Sequence, residues 1–249
     1  MTHRTYAIGD IHGYLDKLKT IHQLIEQDRA QTGDFEAPVI HIGDLTDRGP
    51  DSRGVIDYLL KGIEAGKPWR VLKGNHDRMF AGFMRDANHQ DPVLRSDLSW
   101  LHPRLGGETT LNSYGVADSA GRQRTDAFDD ALRKVPAEHI TFLETLPHFL
   151  DRGDTFFVHA GIRPGVPLAD QIEDDLLWIR ADFHNSDADH GPLIVHGHTP
   201  IESVTHYGNR LNIDTGAGHG RAISAVVLEG REVWQITPAG RVKTDPIKA

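Results

Sequence analysis

Histidines and aspartates that could work on a phosphate fall in five short runs along this chain. They are Gly9-Asp10-Ile11-His12-Gly13, Gly43-Asp44-Leu45-Thr46-Asp47-Arg48-Gly49, Gly74-Asn75-His76-Asp77, His159-Ala160-Gly161 and His196-Gly197-His198-Thr199. Together they offer carboxylate and amide oxygens, imidazole nitrogens, an arginine and flanking glycines. These are the parts for two divalent cations gripping a phosphate. Any one run is a weak signal, but five in order are hard to obtain by accident.

Asp10 and His12 are two residues apart, so in an extended segment both side chains point the same way and can reach one ion. Asp44 can give one oxygen to each of two ions, and Asn75 adds a neutral carbonyl oxygen. His159 and His198 each follow a predicted strand and supply imidazole. A sulfur-free set of oxygen and nitrogen ligands suits manganese, iron or zinc. Two such ions about 3.5–4 Å apart could share a hydroxide and clamp phosphate oxygens for in-line attack on phosphorus. Arg48 can grip two phosphate oxygens at once. His76, next to Asn75, lies on the leaving-group side and can donate a proton, with Asp47 holding it protonated and correctly turned. Arg180 offers a second phosphate clamp; its bland alternative is a surface pair with Asp175 or Asp182.

Other residues stay ambiguous at this level. Taken alone, His159 and His198 read as core histidines. His196, two residues before His198, can face the same side. Asp214 either accepts from a ligand histidine or closes a turn. His219 lies in a glycine-rich loop that could approach the pocket, and Trp178 reads as core.

The elements that must position these groups are legible from periodicity. Thr5–Ile8, Val39–Ile42 and Trp69–Leu72 read as strands that run straight into the first three runs. Apolar spacing over Tyr14–Asp28 and Val55–Ile63 predicts helices between them. Strand, polar loop, helix in repetition argues an α/β sheet with a parallel core. Ligands of such sheets collect at the carboxyl ends of the strands, where the three runs sit. Thr155–His159 and Leu193–His196 read as further strands, 127–135 and 137–146 as helices, and 210–213, 222–228 and 232–237 as closing strands. Asp182–Gly191 reads as a polar loop. The polar stretch from Asp86 to Gly107 reads as a helical cap inserted over the sheet, and the tail after Thr237 as frayed. With no repeat or linker, residues 1–249 are expected to form a single domain.

Composition closes off several classes of function. The net charge of −9 argues against general nucleic-acid or membrane-surface binding. Without cysteine, disulfides and thiolate metal sites are excluded. No apolar run approaches the length needed to span a bilayer, and the N-terminus has no signal-peptide core. The expectation is a cytoplasmic protein.

The ordered runs resemble the PPP family of metallophosphatases, which includes serine/threonine protein phosphatases and diadenosine tetraphosphate hydrolases. The resemblance extends from Tyr6 to about Leu228. It is reinforced by Gly106-Gly107-Glu108-Thr109-Thr110-Leu111, Ser113-Tyr114-Gly115, Leu176-Leu177-Trp178-Ile179-Arg180 and Ile213-Asp214-Thr215-Gly216-Ala217, which look like the bacterial and phage protein-phosphatase branch. It implies a calcineurin-like metallophosphoesterase sandwich of two mixed β-sheets flanked by helices. It implies one metal on Asp10, His12 and Asp44, a second on Asp44, Asn75, His159 and His198, and phosphate contacts from Arg48, Asn75 and Arg180. The ligand is placed at His198 rather than His196, and manganese is the first expectation for the metals. Bacterial diadenosine tetraphosphatases typically carry alanine at the position of Asp47, so the intact His76–Asp47 pair points to the protein-phosphatase branch. The expected activity is hydrolysis of phosphomonoesters, phosphoserine and phosphothreonine on proteins first and small phosphomonoesters after them. The alternative is a dinucleoside polyphosphate or RNA-cap hydrolase; a phosphate-binding scaffold without chemistry is the non-enzymatic competitor.

Overall fold

The computed structural model describes residues 4–247; the first three and last two residues of the expected domain lie outside the described residues. In chain order the first half contains β1 (Arg4–Ile8), α1 (Leu15–Thr32), β2 (Val39–His41), α2 (Ser52–Glu64), β3 (Trp69–Val71), α3 (Asn75–Arg85), α4 (Gly107–Ser113), α5 (Arg124–Lys134) and α6 (Ala137–Thr145). The second half contains β4 (Phe149–Asp151), β5 (Thr155–Val158), α7 (Glu173–Trp178), α8 (Ala181–His184), β6 (Leu193–His196), β7 (Thr205–His206), β8 (Arg210–Asn212), β9 (Ala225–Glu229), β10 (Glu232–Thr237) and β11 (Gly240–Lys243).

The strands form two mixed sheets. One has the order β11-β10-β9-β1-β2-β3, with β1, β2 and β3 parallel and β9, β10 and β11 joined antiparallel. The other has the order β4-β5-β6-β8-β7, with β5, β6 and β8 parallel and an antiparallel strand at each edge.

Side-chain alternation explains why the sheets stack. In β1, Ala7 faces the inter-sheet layer with Ile40, Phe157, Val195, Leu211 and Val226, while Tyr6 and Ile8 face the helices. In β5, Phe157 points inward, and Phe156 and Val158 pack against Leu176 and Phe183 of α7 and α8. Strands buried on both faces read as near-continuous apolar runs, which is what Tyr6–Ile8 and Phe156–Val158 are. The architecture is thus helix, sheet, sheet, helix, as the resemblance implied. Among the described residues no helix is long and apolar enough to cross a membrane.

Two expectations fail. Residues 86–106 form a string of turns instead of a helical cap. Side chains there bond to nearby backbone, Asp86 accepting from Asn88 N (2.9 Å) and Asp91 from Val93 N (3.0 Å). Such local bonds compete with a helix, and Pro92 and Pro103 remove donors from it. The tail after Thr237 does not fray at once. Gly240–Lys243 pairs with β10, and Arg241 anchors it to Asp28 through bonds of 2.6 and 2.7 Å. The polar loop expected at Asp182–Gly191 opens with the last turn of α8.

Candidate metal and phosphate site

The parallel strands deliver their polar loops to one edge of the sandwich. Gly74 and Gly197 make the convergence sterically feasible. A Cβ on Gly74 would collide with the backbone and carboxylate of Asp44, and one on Gly197 with the Asp10 carboxylate. Asn75 opens α3, so the positive end of that helix faces Asp44, and His76 N donates to Asp44 Oδ1 (3.0 Å).

The hydrogen bonds fix which ring nitrogens are free. His12 Nδ1 donates to Thr46 O (2.9 Å), leaving the Nε2 lone pair 3.4 Å from Asp44 Oδ2. His159 Nδ1 donates to Ile42 O (3.0 Å), leaving its Nε2 lone pair 3.4 Å from Asp44 Oδ1. Asp44 therefore splits its two oxygens between two histidines whose tautomers are set by backbone carbonyls, the usual support of metal-binding imidazoles. Asn75 Oδ1 lies 2.9 Å from His159 Nε2 and 2.9 Å from His198 Nδ1, and the two ring nitrogens are 3.2 Å apart. His198 Nε2 is buried with no partner. Acceptor atoms converge here with too few protons among them, and a cation in their midst resolves that conflict. Two groups have ligand atoms within 4.8 Å of one another: Asp44, His159 and His198, and His12, Asp44 and His76. The residues present thus fit divalent cations, and Asp44 would be shared between the two groups.

Asp10 is buried beside this cluster and belongs to neither group. Its carboxylate accepts from His198 N (3.2 Å). Burial, then Asp214 and Asp44, raise its pKa well above the usual carboxylate range. For Asp44 burial acts in the same direction, but His159, His76, His12 and His198 together pull it far below. Burial lowers the pKa values of His12, His159 and His198, keeping their rings neutral, the form that binds metal.

The phosphate-side groups assemble next to these. His76 Nδ1 donates to Asp47 Oδ2 over 2.6 Å. Asp47 is also held by Trp100 Nε1 (2.9 Å) and Thr110 Oγ1 (2.7 Å), and its amide donates to Thr110 and Ser52. Arg48 extends between the two histidine rings, 3.2 Å from His12 Nε2 and 3.2 Å from His76 Nε2. Arg180 Nη1 donates to Thr199 Oγ1 (3.0 Å), and its charge is near enough to Asp44, Asp10 and Asp214 to feel all three. It does not pair with Asp175 or Asp182, both of which are held by Arg163.

Backbone strain concentrates here. Among the described non-glycine residues with left-handed φ, all but Asp118 belong to this site: His12 (49°), Asp44 (51°), Asp47 (73°), Arg48 (68°) and His198 (65°). Such conformations persist only where surrounding contacts over-determine them.

The ambiguous residues now separate. His196 faces Phe183 and Arg210, away from the ligand atoms. Asp214 closes a turn by accepting from Gly216 N (2.8 Å), and burial pushes it up to about 6. His219 is close enough to Arg48 to be influenced by its charge. Trp178 sets its ring edge-on to His198 with centroids 5.9 Å apart, half-buried at the rim of the site. Sequence reasoning assigned no role to Trp100, Ser52 or Asp77. Asp77 accepts from Leu45 N and Gly74 N (2.9 Å each), tying the second and third loops together. Burial and Asp44 push it up to about 8. The only advance signal for Trp100 was a tryptophan inside a polar, proline-punctuated stretch.

The chain is similar to several known proteins. A bis(5'-nucleosyl)-tetraphosphatase PrpE [asymmetrical] of Anoxybacillus flavithermus is 26% identical over 88% of each chain. Its counterpart of Bacillus subtilis is 25% identical over 87% of each. Among solved structures, a provisionally assigned diadenosine tetraphosphatase superposes with a TM-score of 0.62 at 18% identity, covering 98% of this chain and 95% of that one. A cold-active protein-tyrosine phosphatase of a Shewanella species gives 0.61 at 17%, covering 98% and 81%. At these identities the structures testify to the fold alone. The profile of calcineurin-like phosphoesterases matches residues 3–223, nearly the whole chain, and the protein belongs to that family of metallophosphoesterase hydrolases.

Proposed function

We propose that this protein is a two-metal hydrolase whose first substrate class is the bis(5'-nucleosyl) tetraphosphates. The observation that carries the metal assignment is the splitting of Asp44 between His12 and His159, with Asn75 and His198 converging on the same side. His12 and Asp44, with Asp10 beside them, would hold one ion; Asp44, Asn75, His159 and His198 would hold the other. Two divalent ions there, manganese first and iron or zinc as alternatives, would supply Lewis-acid charge and a more acidic water when bound. Arg48, Asn75 and Arg180 bind and orient the phosphate, and the two guanidiniums offset charge on its outer oxygens. The substrate class is supported by the tetraphosphatases that match along almost their whole length.

A second reading, protein serine/threonine phosphatase, is favoured by one specific contact. The 2.6 Å Asp47–His76 pair is built to return a proton to a leaving oxygen. An alkoxide leaving group needs that proton far more than a nucleotide phosphate does.

A substrate panel separates the two. The protein is stripped with a chelator and reloaded with manganese, iron or zinc singly. It is then assayed on diadenosine tetraphosphate, a phosphoserine peptide and p-nitrophenyl phosphate. Asymmetrical cleavage of the tetraphosphate with the highest kcat/KM is expected. A preference for the peptide selects the second reading, and activity indifferent to chelation ends both.

A further inference from the structure

At the far end of β3 from Asn75, between α1 and α2, lies an open cleft of about 820 Å³. That volume is in the range of small-molecule sites. Its floor is aromatic, the half-buried Tyr58 lying beside the buried rings of His22 and Trp69. The rings of His22 and Trp69 have centroids 4.3 Å apart, and Tyr58 and Trp69 5.3 Å. Its rim carries Lys19, Lys61 and Lys67. Among the described residues none of these three ammonium groups has a carboxylate within salt-bridge distance. The one acid in the lining, Glu26, is engaged by Arg29. Lys19 Nζ stands 5.9 Å from the centre of the Tyr58 ring.

The buried side of the cleft has a fixed polarity. His41 Nδ1 donates to Arg70 O (3.0 Å), so its Nε2 accepts from His22 Nε2 (2.8 Å). His22 Nδ1 must then accept from the Tyr58 hydroxyl (2.9 Å). Tyr58 Oη has committed its only proton inward and can only accept from anything in the cleft. Burial pushes His22 down to about 2 and His41 to about 4, so the chain of rings stays neutral.

We propose that this cleft binds a nucleotide at a site separate from the metal centre. A heteroaromatic base packs against the floor at the half-buried Tyr58, its amino group donates to Tyr58 Oη, and its phosphate meets the lysines. A planar ring satisfies the floor and an anion satisfies the rim; neither adenosine nor orthophosphate alone satisfies both.

The probe is adenosine 5'-monophosphate, titrated calorimetrically into the metal-loaded protein, its Arg48→Ala variant and a Lys19→Gln/Lys61→Gln/Lys67→Gln variant. All three lysines are exposed, so their loss leaves the fold intact. The nucleotide is expected to bind Arg48→Ala as tightly as the unaltered protein at this site. The triple variant should bind it about tenfold more weakly and turn over p-nitrophenyl phosphate at an unchanged rate. Adenosine and orthophosphate should each bind more weakly than the nucleotide. The proposal is overturned if no nucleotide binds at millimolar concentration, if binding vanishes in Arg48→Ala but survives in the triple variant, or if orthophosphate binds as well as the nucleotide. None of these outcomes bears on the metal centre, whose own test is the chelation panel.

Discussion

Two clusters of charge, built from similar residues, solve opposite problems. Where the C-terminal hairpin docks on α1, Arg241 grips both oxygens of Asp28 and also bonds Glu229 (2.8 Å). Arg4 meets Glu229 (2.9 Å) and Tyr6 donates to Asp28 (2.6 Å). Each carboxylate faces a cation or a hydroxyl, in ordinary backbone. At the candidate metal end, Asp10, Asp77 and Asp214 are all buried within the influence of Asp44, lone pairs face lone pairs, and five non-glycine residues adopt left-handed φ. The first cluster is complete as it stands and serves stability. The second keeps some bonds that tie its loops together, and its remaining convergence of acceptors fits the cation and phosphate receptor proposed above. Local rules are kept where a region is structural and broken where it acts.

The largest test of that contrast is Asp44→Asn. The amide keeps the shape and can still accept from His76 N, but cannot bridge two cations as a carboxylate does. Activity should fall on the order of 10³-fold. In chelator the thermal midpoint should change little, because His12, His159 and His198, which favour the Asp44 carboxylate, are neutral near pH 7 and Asp10 and Asp77 oppose its charge. A large loss of stability without metal would mean that Asp44 is structural. Next comes His76→Asn, expected to cost roughly 10²–10³ in turnover on alkyl phosphates and much less on p-nitrophenyl phosphate. Equal losses on both would remove His76 as the proton donor. Trp100→Phe keeps the stacking on Phe80 (centroids 5.2 Å apart) while deleting the N–H to Asp47. About 1 kcal/mol of stability is lost with that bond. The alkyl-to-aryl activity ratio should shift in the same sense as in His76→Asn, by a smaller factor. An unchanged ratio would make Trp100 a packing residue only.

That last variant also marks where the sequence stopped being readable. Asp10, His12, Asp44, Asn75, His159 and His198 were legible because each sits at or just beyond the end of an apolar strand, where a parallel sheet must present its ligands. Asp47 and Arg48 were legible from their loop. Trp100 was not, because its bond to Asp47 spans 53 positions and leaves a segment with no period. The same segment misled the helix assignment, since side-chain bonds to nearby backbone decide it rather than apolar spacing. Gly240–Lys243 escaped notice because a four-residue edge strand with Val242 as its one apolar side chain shows no alternation; its partner is a carboxylate on α1 more than 200 residues earlier. The tie between Leu45 and Asp77 is equally non-local. Motif order marks the groups that the structure brings together, and says little about what holds them still.

The smallest expected effect sharpens the other side of the contrast. Asp28→Asn removes the charge from a site where it is fully partnered, leaving Arg241 with Glu229 alone. Activity should stay within about twofold, while stability at neutral pH falls by about 1–3 kcal/mol, the scale of a partly buried ion pair with hydrogen bonds. The pH dependence carries the sign. Burial alone would raise Asp28, but Arg241 and the Tyr6 hydroxyl hold it below the usual carboxylate value. A carboxylate lowered in the folded state contributes stability that is present above its unfolded pKa, about 4, and is lost as pH falls through the lower folded value. The gap between the unaltered protein and Asp28→Asn in urea midpoint should therefore be widest near neutrality and narrow steadily below pH 4. A gap that stays constant down to pH 2 would show that shape rather than charge holds the hairpin, and the two clusters would then differ less than their contacts imply.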